Sequence, residues 1–174
     1  SGSNAHMLAG TIAEAKLLND VARSFVARTG RLSGDVYEIK GREFQRGDRV
    51  LLTKNMARQL DCDTGAEVRV DNGMLGNITA INPERHTIDV QLTSGRNIRL
   101  SSYYVTGENL THGYATTFHK AQGLTCDDVF VVGPAGMYRE SGYVALSRAR
   151  NQAHLYATTG QAVALGERSH ATGI

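Results

Sequence analysis

The chain has 174 residues, of which 41% are hydrophobic, and its formal net charge is +2. This length and apolar content are sufficient for one domain with a buried core, or for one domain with a small insertion. No stretch approaches the roughly 20 apolar residues that span a bilayer, so we expect no membrane contact and a cytoplasmic location. A charge this close to zero excludes a generally polybasic protein, and any contact with nucleic acid must come from a local group of residues.

The two cysteines, Cys62 and Cys126, lie far apart in the sequence and belong to no CxxC pattern or Cys/His cluster. This spacing predicts neither a metal site nor a disulfide framework. We therefore expect both thiols to be free, in a reducing compartment.

The N-terminal region predicts a strand followed by a helix. Residues 1–7 resemble a cloning remnant, and we expect them to lie outside the fold. A short strand ends near Thr11, which forms a capping-box pattern with Glu14, and Gly30 is a suitable helix stop. The apolar residues at helical spacing, which we expect to form the buried face, are Ile12, Ala15, Leu18, Ala22, Phe25 and Val26.

From residue 36 to residue 104 the pattern changes to short strands separated by turns. Turn signals such as Asp71-Asn72-Gly73 and Ser94-Gly95 divide apolar stretches, and residues 96–100 alternate between apolar and polar. The predicted strands cover residues 49–53, 74–81, 87–92 and 96–100. Strands of this number and length favour a small SH3-like β-barrel.

After residue 110 the pattern of an α/β domain returns. We predict a helix over 114–122, a strand over 129–132, a second helix over 140–150 and a strand over 154–157. The run at 129–132 is apolar without alternation, which is typical of a parallel strand covered on both faces. The β segment therefore interrupts an α/β domain with a parallel sheet and flanking helices. The expected boundaries are 8–53 and 105–160 for the two halves, 54–104 for the insertion and 161–174 for a tail.

Residues 113–132, with the sequence GYATTFHKAQGLTCDDVFVV, carry a group of polar side chains before the apolar strand. Gly123 permits close backbone approach to a phosphate or nucleotide. His119 and Lys120 can bind phosphates, and the hydroxyls of Thr116 and Thr117 suit a nucleic-acid backbone. From composition alone a capped helix with a solvated lysine is the more common arrangement.

Residues 143–150 read YVALSRAR and contain two arginines. On a helix Arg148 and Arg150 point in nearly opposite directions, so they serve different purposes. A guanidinium beside small residues suits anion binding, but a surface arginine paired with a carboxylate is an equal alternative.

Together these segments resemble superfamily 1 helicases of the 5′-to-3′, RecD-like branch. YATTFHKAQGLTCDDVFVV resembles motif V with its extension, and YVALSRAR resembles motif VI. GDRVLLTKN and NGMLGNI resemble the stretch that enters the SH3-like insertion of these proteins, and LAGT resembles the start of the second RecA-like domain. The resemblance spans roughly residues 8 to 157 and is of the UvrD-like helicase C-terminal type. The sequences of these motifs are most similar to those of the helicase domains of conjugative relaxases of the TraA/TraI kind.

This resemblance implies a second RecA-like domain that binds single-stranded DNA and contacts ATP. Arg148 corresponds to the motif VI arginine, which reaches the γ-phosphate and stabilises charge on the transferred phosphoryl group. Gln122 and Gly123 face the nucleotide. Some relatives have an acidic residue at the position of Thr125, so a carboxylate contact is not expected there. The resemblance places Thr117 and His119 along the DNA path, and with Thr116 and Lys120 from the residue chemistry they make up the DNA-binding candidates.

The sequence lacks the parts that bind the triphosphate and its metal ion in such motors. It contains no Gly-Lys dipeptide, which a P-loop requires, and no Asp-Glu pair. We therefore expect that the chain does not hydrolyse ATP alone. In the family an N-terminal RecA-like domain binds ATP and Mg²⁺, and the resemblance implies such a partner domain here. The whole protein is then an ATP-dependent DNA helicase, either a conjugative relaxase or an exonuclease V alpha subunit.

Two alternatives belong to other functional classes. A degenerate helicase copy would bind single-stranded DNA or a protein without turnover, although the intact HKAQG segment and Arg148 favour an active motor. A plain SH3-like peptide-binding module usually presents exposed aromatic residues, and this chain has no Trp and 6% aromatic residues. The peptide-binding alternative is therefore the weaker one.

Overall fold

The computed structural model describes residues 5–121, 126–133 and 149–157. These residues divide into two compact units. The parallel-sheet unit comprises the described residues up to Leu18 and from Ala115 onward, and the β module comprises residues 19–114. In chain order the elements are β1 (Ala5–Ala9), α1 (Ile12–Arg28), β2 (Ser33–Ile39), β3 (Arg42–Arg46), β4 (Arg49–Leu52), β5 (Met56–Leu60), β6 (Glu67–Val70), β7 (Leu75–Asn82), β8 (Thr87–Leu92), β9 (Asn97–Leu100), α2 (Ser102–Thr106), β10 (Leu110–His112), β11 (Ala115–Thr117), β12 (Cys126–Gly133) and β13 (Ala149–Ala157).

The parallel-sheet unit is built on four strands in the order β11-β1-β12-β13. Leu8, in a central strand, lies opposite Thr116 of β11 and Val131 of β12. Val129 and Val131 are buried on one face of β12, whereas Phe130 and Val132 on the other face are half-buried, so the expected cover on both faces is only partial. The buried cluster of this unit consists of Leu8, Ala121, Cys126, Val129 and Val131. The predicted strand at 129–132 is therefore confirmed within the longer β12.

Helix α1 begins at the predicted capping box. The Glu14 N–H donates to Thr11 Oγ1 at 3.1 Å, and the Thr11 N–H donates to Glu14 Oε2 at 3.0 Å. The helix ends at Arg28, and Gly30 adopts the left-handed conformation with φ 71°. A glycine adopts this backbone at little cost, so it terminates the helix as predicted.

The buried face of α1 differs from the prediction. Ile12 is 74% exposed and Phe25 is 59% exposed, whereas Ala15 and Asn19 are each 8% exposed. Polar contacts explain this orientation within the β module, where the Tyr114 N–H donates to Asn19 Oδ1 at 2.9 Å. Apolar periodicity therefore predicted the face only in part: Ala15 is buried and Leu18, Ala22 and Val26 are half-buried as expected, but Ile12 and Phe25 are exposed and the polar Asn19 packs inward.

The β module contains a five-stranded antiparallel sheet in the order β10-β4-β7-β8-β9. Two hairpins, β2-β3 and β5-β6, form separate two-stranded sheets. The buried cluster of the module includes Phe44, Ile88, Ile98 and Tyr104, with further residues from the other strands. The α/β class, in which a parallel sheet is interrupted by an antiparallel β insertion, is confirmed.

The β module extends beyond the expected insertion of residues 54–104 at both ends. Strand β4, which was expected in the α/β half, pairs with β7 and β10 in the antiparallel sheet. The hairpin β2-β3 also belongs to this unit. The module therefore begins within α1 and extends to Tyr114, because its strands pair with one another regardless of the turns between them.

Three local predictions are corrected. Residues 115–117 form strand β11 and not part of a helix, since Thr116 pairs with Leu8 of β1. Residues 149 and 150 begin β13 and do not end a helix. Residues 5–7, which were expected to lie outside the fold, are in β1 between β11 and β12. In each case pairing within the parallel sheet decides the conformation.

Neither helix in the described part of the chain is long and apolar enough to cross a membrane. Across residues 5–121, 126–133 and 149–157, no group of three or more His, Cys, Asp and Glu side chains could hold a metal ion. Neither the exposed Cys62 nor the buried Cys126 forms a disulfide bond.

Candidate functional site

The HKAQG segment begins where β11 ends. Thr117 is the last residue of the strand and lies opposite Ala9, the last residue of β1. The Phe118 N–H donates to the Ala9 carbonyl at 3.3 Å, and the Ala121 N–H donates to the Thr117 carbonyl at 3.0 Å. The chain thus turns at the carboxyl edge of the parallel sheet, which is the edge where open α/β sheets bind their ligands.

The two threonines of this segment face the interior. Thr116 is 3% exposed and Thr117 is 8% exposed. The Oγ1 atom of Thr116 lies 3.0 Å from Nε2 of His6, which is also buried. The Thr116 hydroxyl therefore has a partner inside the sheet and little contact with solvent.

His119 and Lys120 occupy the turn after β11 and are both exposed. Within the described ranges, no carboxylate forms a salt bridge with Lys120. An unpaired ammonium group beside an imidazole can bind a phosphate through charge and hydrogen bonding. Of the four DNA-binding candidates, His119 and Lys120 are the ones that solvent, and hence a ligand, can reach.

The nucleotide-binding candidates Gln122, Gly123 and Arg148 lie outside the described residues, as does Thr125. The strands that follow them in the sequence are described. Cys126 of β12 and Ala149 of β13 are parallel partners at the starts of neighbouring strands. The chain segments that contain the candidates thus enter adjacent strands at the same edge of the sheet.

A buried polar cluster in the β module was not predicted from the sequence. The carboxylate of Asp48 is fully buried and forms a salt bridge with Arg23 Nε at 3.1 Å. It also accepts the Gln45 N–H at 2.8 Å and the Tyr114 hydroxyl at 2.8 Å. Three partners satisfy the carboxylate, which buried charge requires. In the sequence Asp48 follows Gly47, and a Gly-Asp pair is common in exposed turns. The pair therefore gives no signal that the carboxylate is buried.

His112 and Gly113 precede Tyr114 and are fixed by the same part of the β module. His112 Nε2 donates to the Glu43 carbonyl at 2.9 Å, and its ring packs 4.9 Å from that of Phe44. Burial is the main cause that lowers the pKa of His112, despite the opposing charge of Asp48. A Cβ atom at Gly113 would lie 2.8 Å from the Val50 carbonyl oxygen, so glycine is required by space.

Comparison with known proteins agrees with the sequence motifs. Residues 112–156 match the family model of the UvrD-like helicase C-terminal domain. The conjugal transfer protein TraA of Agrobacterium fabrum is 31% identical over 147 residues, which cover 82% of this chain and 12% of TraA. The matched segment is therefore a small part of the length of that relative.

Solved structures show a similar fold. A Pif1 helicase from Candida albicans superposes with a TM-score of 0.58 at 16% identity, over 99% of this chain and 51% of that one. A Pif1 helicase from Bacteroides, in complex with ADP-AlF3 and ssDNA, gives a TM-score of 0.55 at 22% identity, over 99% and 46%. Residues 112–156 thus match the UvrD-like helicase C-terminal domain, and the chain is distantly similar to TraA conjugal transfer proteins and, in fold, to Pif1 helicases.

Proposed function

We propose that this chain is the second motor domain of an ATP-dependent 5′-to-3′ DNA helicase. The observation that carries the proposal is the pairing of Cys126 with Ala149. Because of this pairing, the motif V and motif VI segments lead into neighbouring strands of one parallel sheet. The two segments therefore join the sheet close to each other, as two segments that act on one nucleotide must.

In this proposal His119 and Lys120 contact the backbone of single-stranded DNA. Both side chains are exposed, and both follow β11 at the carboxyl edge of the sheet. Thr116 and Thr117 are buried in β11 and hold the start of the turn. Binding through phosphates is independent of base sequence and weakens with salt, as a translocating motor needs.

The nucleotide is contacted by Gln122, Gly123 and Arg148. The arginine supplies positive charge to the phosphoryl group in transfer, an effect worth about 10³ to 10⁵ in rate in related systems. An N-terminal RecA-like domain supplies the P-loop and the residues that bind Mg²⁺. In keeping with this, the chain has no Gly-Lys dipeptide.

Of the two kinds of helicase, we favour a conjugative relaxase over a RecD-like exonuclease V subunit. The similarity to TraA over 82% of the chain supports this choice. A degenerate helicase copy that binds DNA or a protein without turnover is the alternative. It predicts the same fold and the same DNA binding, but no ATPase activity in the full-length protein.

The decisive experiment compares Arg148→Ala with Arg150→Ala in the full-length protein. Arg150 is exposed at the start of β13, so its loss is the matched control for removing one positive charge. We expect Arg148→Ala to abolish DNA-stimulated ATPase activity and to leave single-stranded DNA binding intact, while Arg150→Ala retains turnover. Near-normal turnover in Arg148→Ala would contradict the proposal, and an inactive wild-type protein would favour the degenerate copy.

A second experiment addresses the DNA contact of the chain itself. Lys120→Ala should weaken binding to oligothymidylate and should lower the slope of log K against log salt by about 0.7. Thr29→Ala, at the exposed residue that directly follows α1, is the comparison that removes no charge. An unchanged slope in Lys120→Ala would remove this lysine from the DNA path.

A further inference from the structure

Helix α1, which is continuous over Ile12–Arg28, exposes a row of large apolar side chains. Leu17 is 63% exposed, and Val21 and Phe25 are each 59% exposed. These three residues are four positions apart, so they form one ridge along the helix, which we name the α1 stripe. Single exposed apolar side chains are common on proteins, but a contiguous row of large ones marks an interaction surface.

The α1 stripe faces away from the side on which the helix is anchored. Asn19 is buried and accepts the Tyr114 N–H at 2.9 Å. Val21 lies about 200° around the helix axis from Asn19. The contacts that fix α1 therefore leave the stripe exposed.

Opposite charges stand at the two ends of the α1 stripe. Glu14 precedes Leu17 by three positions, and Arg28 follows Phe25 by three positions. Within the part of the chain that the structure describes, neither charge takes part in a salt bridge. Glu14 accepts its backbone hydrogen bonds through Oε2, which leaves Oε1 for another donor.

The spacing of these residues is symmetric about Val21. From Glu14 to Arg28 the steps are 3, 4, 4 and 3 positions, so the order is the same when the helix is reversed. In an antiparallel pair of α1 helices with a two-fold axis at Val21, Leu17 meets Phe25 of the second copy. Glu14 then meets Arg28 of the second copy, and a carboxylate and a guanidinium form a strong pair.

We propose that the α1 stripe is a homodimer interface, in which two copies of this chain pair through antiparallel α1 helices centred on Val21. The apolar side chains provide the favourable burial, and the two Glu14–Arg28 pairs fix direction and register. A two-fold contact of this kind closes on itself, so association ends at the dimer. An unrelated partner would not require a spacing that reads the same in both directions. This inference does not depend on the proposed function.

The dimer should be weak, because one helix pair buries less than the roughly 800 Å² per partner of a standard interface. Sedimentation velocity of the 174-residue chain from about 1 μM to about 1 mM covers the range in which such a dimer forms. We expect the sedimentation coefficient to rise with concentration towards that of a dimer and no further.

Val21→Glu should raise the dissociation constant by about 10-fold or more, because it places two carboxylates together at the two-fold axis. Ile12→Glu is the matched control. Ile12 is 74% exposed on the same helix, but it lies about 180° around the axis from Val21. A dimer that is equally stable in Val21→Glu and in the wild-type chain overturns the proposal, as does a chain that stays monomeric throughout.

Charge reversal tests the register. Arg28→Glu places a carboxylate opposite Glu14 and should raise the dissociation constant by about 3- to 30-fold. Adding Glu14→Arg restores opposite charges and should recover most of the affinity, which a role in helix capping alone would not do. Circular dichroism confirms that each variant is folded at the temperature of the measurement. A double variant that is no tighter than Arg28→Glu overturns the antiparallel pairing.

Disulfide cross-linking tests the two-fold axis directly. The measurement uses a Cys62→Ser background, because the exposed Cys62 would also react. Val21→Cys should form a covalent dimer on mild oxidation, since a disulfide closes only when the two Cα atoms are about 4.4–6.8 Å apart. Ile12→Cys should remain monomeric, and equal cross-linking of the two variants overturns the proposed axis.

The full-length protein distinguishes a second copy from another domain of the same protein. If it is monomeric and Val21→Cys in it reacts slowly with a maleimide, another domain covers the α1 stripe and the homodimer is overturned. If it dimerises and Val21→Glu abolishes the dimer, the homodimer is supported. Binding of oligothymidylate is measured separately, so failure of the dimer leaves the proposed function standing.

Discussion

The hydroxyl group of Tyr114 donates a hydrogen bond to the buried carboxylate of Asp48, with 2.8 Å between the two oxygen atoms. The same carboxylate binds Arg23, which is 14% exposed at its side chain. Tyr114 is the residue directly before β11 in the sequence. The end of the β module is thus fixed by a buried charge at the point where the chain continues into the candidate DNA-binding segment.

Removing the carboxylate should destabilise the β module strongly. We expect Asp48→Ala to lower the free energy of unfolding by about 3–5 kcal/mol, because three donors would lose their buried acceptor and Arg23 would keep only the exposed Glu43 as an ion-pair partner. Tyr114→Phe should lower it by about 1–3 kcal/mol, since a buried acceptor loses one donor. Urea denaturation of the chain measures both values. Asp89→Ala breaks an exposed pair with Arg99 and should change stability by less than about 1 kcal/mol. Equal losses in Asp48→Ala and Asp89→Ala would contradict the role of burial.

The stability of the chain should depend on pH through His112. Burial lowers the pKa of this histidine in the folded chain, so the unfolded chain binds the proton more tightly. The contribution of neutral His112 is therefore fully present above the unfolded value of 6.5 and is lost as the pH falls from there towards the folded pKa. The free energy of unfolding should fall in this window by up to about 1.4 kcal/mol per pH unit.

His112→Gln isolates this effect, because its amide can still donate to the Glu43 carbonyl but does not titrate. The variant should have a flatter profile of stability against pH below 6.5 and an unchanged slope above pH 7. If stability falls with pH equally in the wild-type chain and in His112→Gln, groups other than His112 cause the pH dependence.

Gly113 should tolerate no side chain. A Cβ atom there would lie 2.7 Å from the Val50 carbonyl carbon and 2.8 Å from its oxygen. Backbone atoms cannot move aside easily, so Gly113→Ala should lose about 1–3 kcal/mol of stability, as overpacking does. Gly113→Asn should be at least as harmful, since it adds volume at the same place.

Gly41 gives the contrasting case. Nothing lies within 4 Å of a Cβ atom there, and the strain comes from its φ of 77°. Asn tolerates this conformation better than Ala, so Gly41→Asn should be milder than Gly41→Ala. A smaller loss of stability in Gly113→Asn than in Gly113→Ala would argue against the steric explanation.

The capping box of α1 should contribute measurably to stability. Thr11→Ala removes the acceptor of the Glu14 N–H and should cost about 0.5–2 kcal/mol. Glu14→Gln keeps an oxygen that can accept the Thr11 N–H and should have a smaller effect. Circular dichroism during thermal unfolding would detect the difference, and identical curves for Thr11→Ala and wild type would refute it.

The sequence pattern was sufficient for elements whose signals are local. Strand β8 was predicted at its observed bounds, since residues 87–92 lie between two clear turns and alternate in burial. The capping box of α1 was also predicted, because its residues are three positions apart. The family motifs led to the correct recognition of a helicase C-terminal domain over residues 112–156.

Elements that depend on distant partners were not predictable in this way. Strand β11 has three residues, and its extended conformation depends on pairing with β1. The buried face of α1 is decided by Asn19, whose partner Tyr114 is 95 residues away. The roles of Arg148, Gln122 and Gly123 remain predictions, because they belong to residues outside those that the structure describes.

The position of β1 within the parallel sheet has a consequence for biosynthesis. This strand leaves the ribosome well before its partners β11 and β12, since His6 and Thr116 are 110 positions apart in the sequence. The pairings inside the β module are closer in sequence, so the module can form while β1 still has two open edges. A nascent chain paused before residue 115 therefore exposes an apolar strand that is free to pair with other chains.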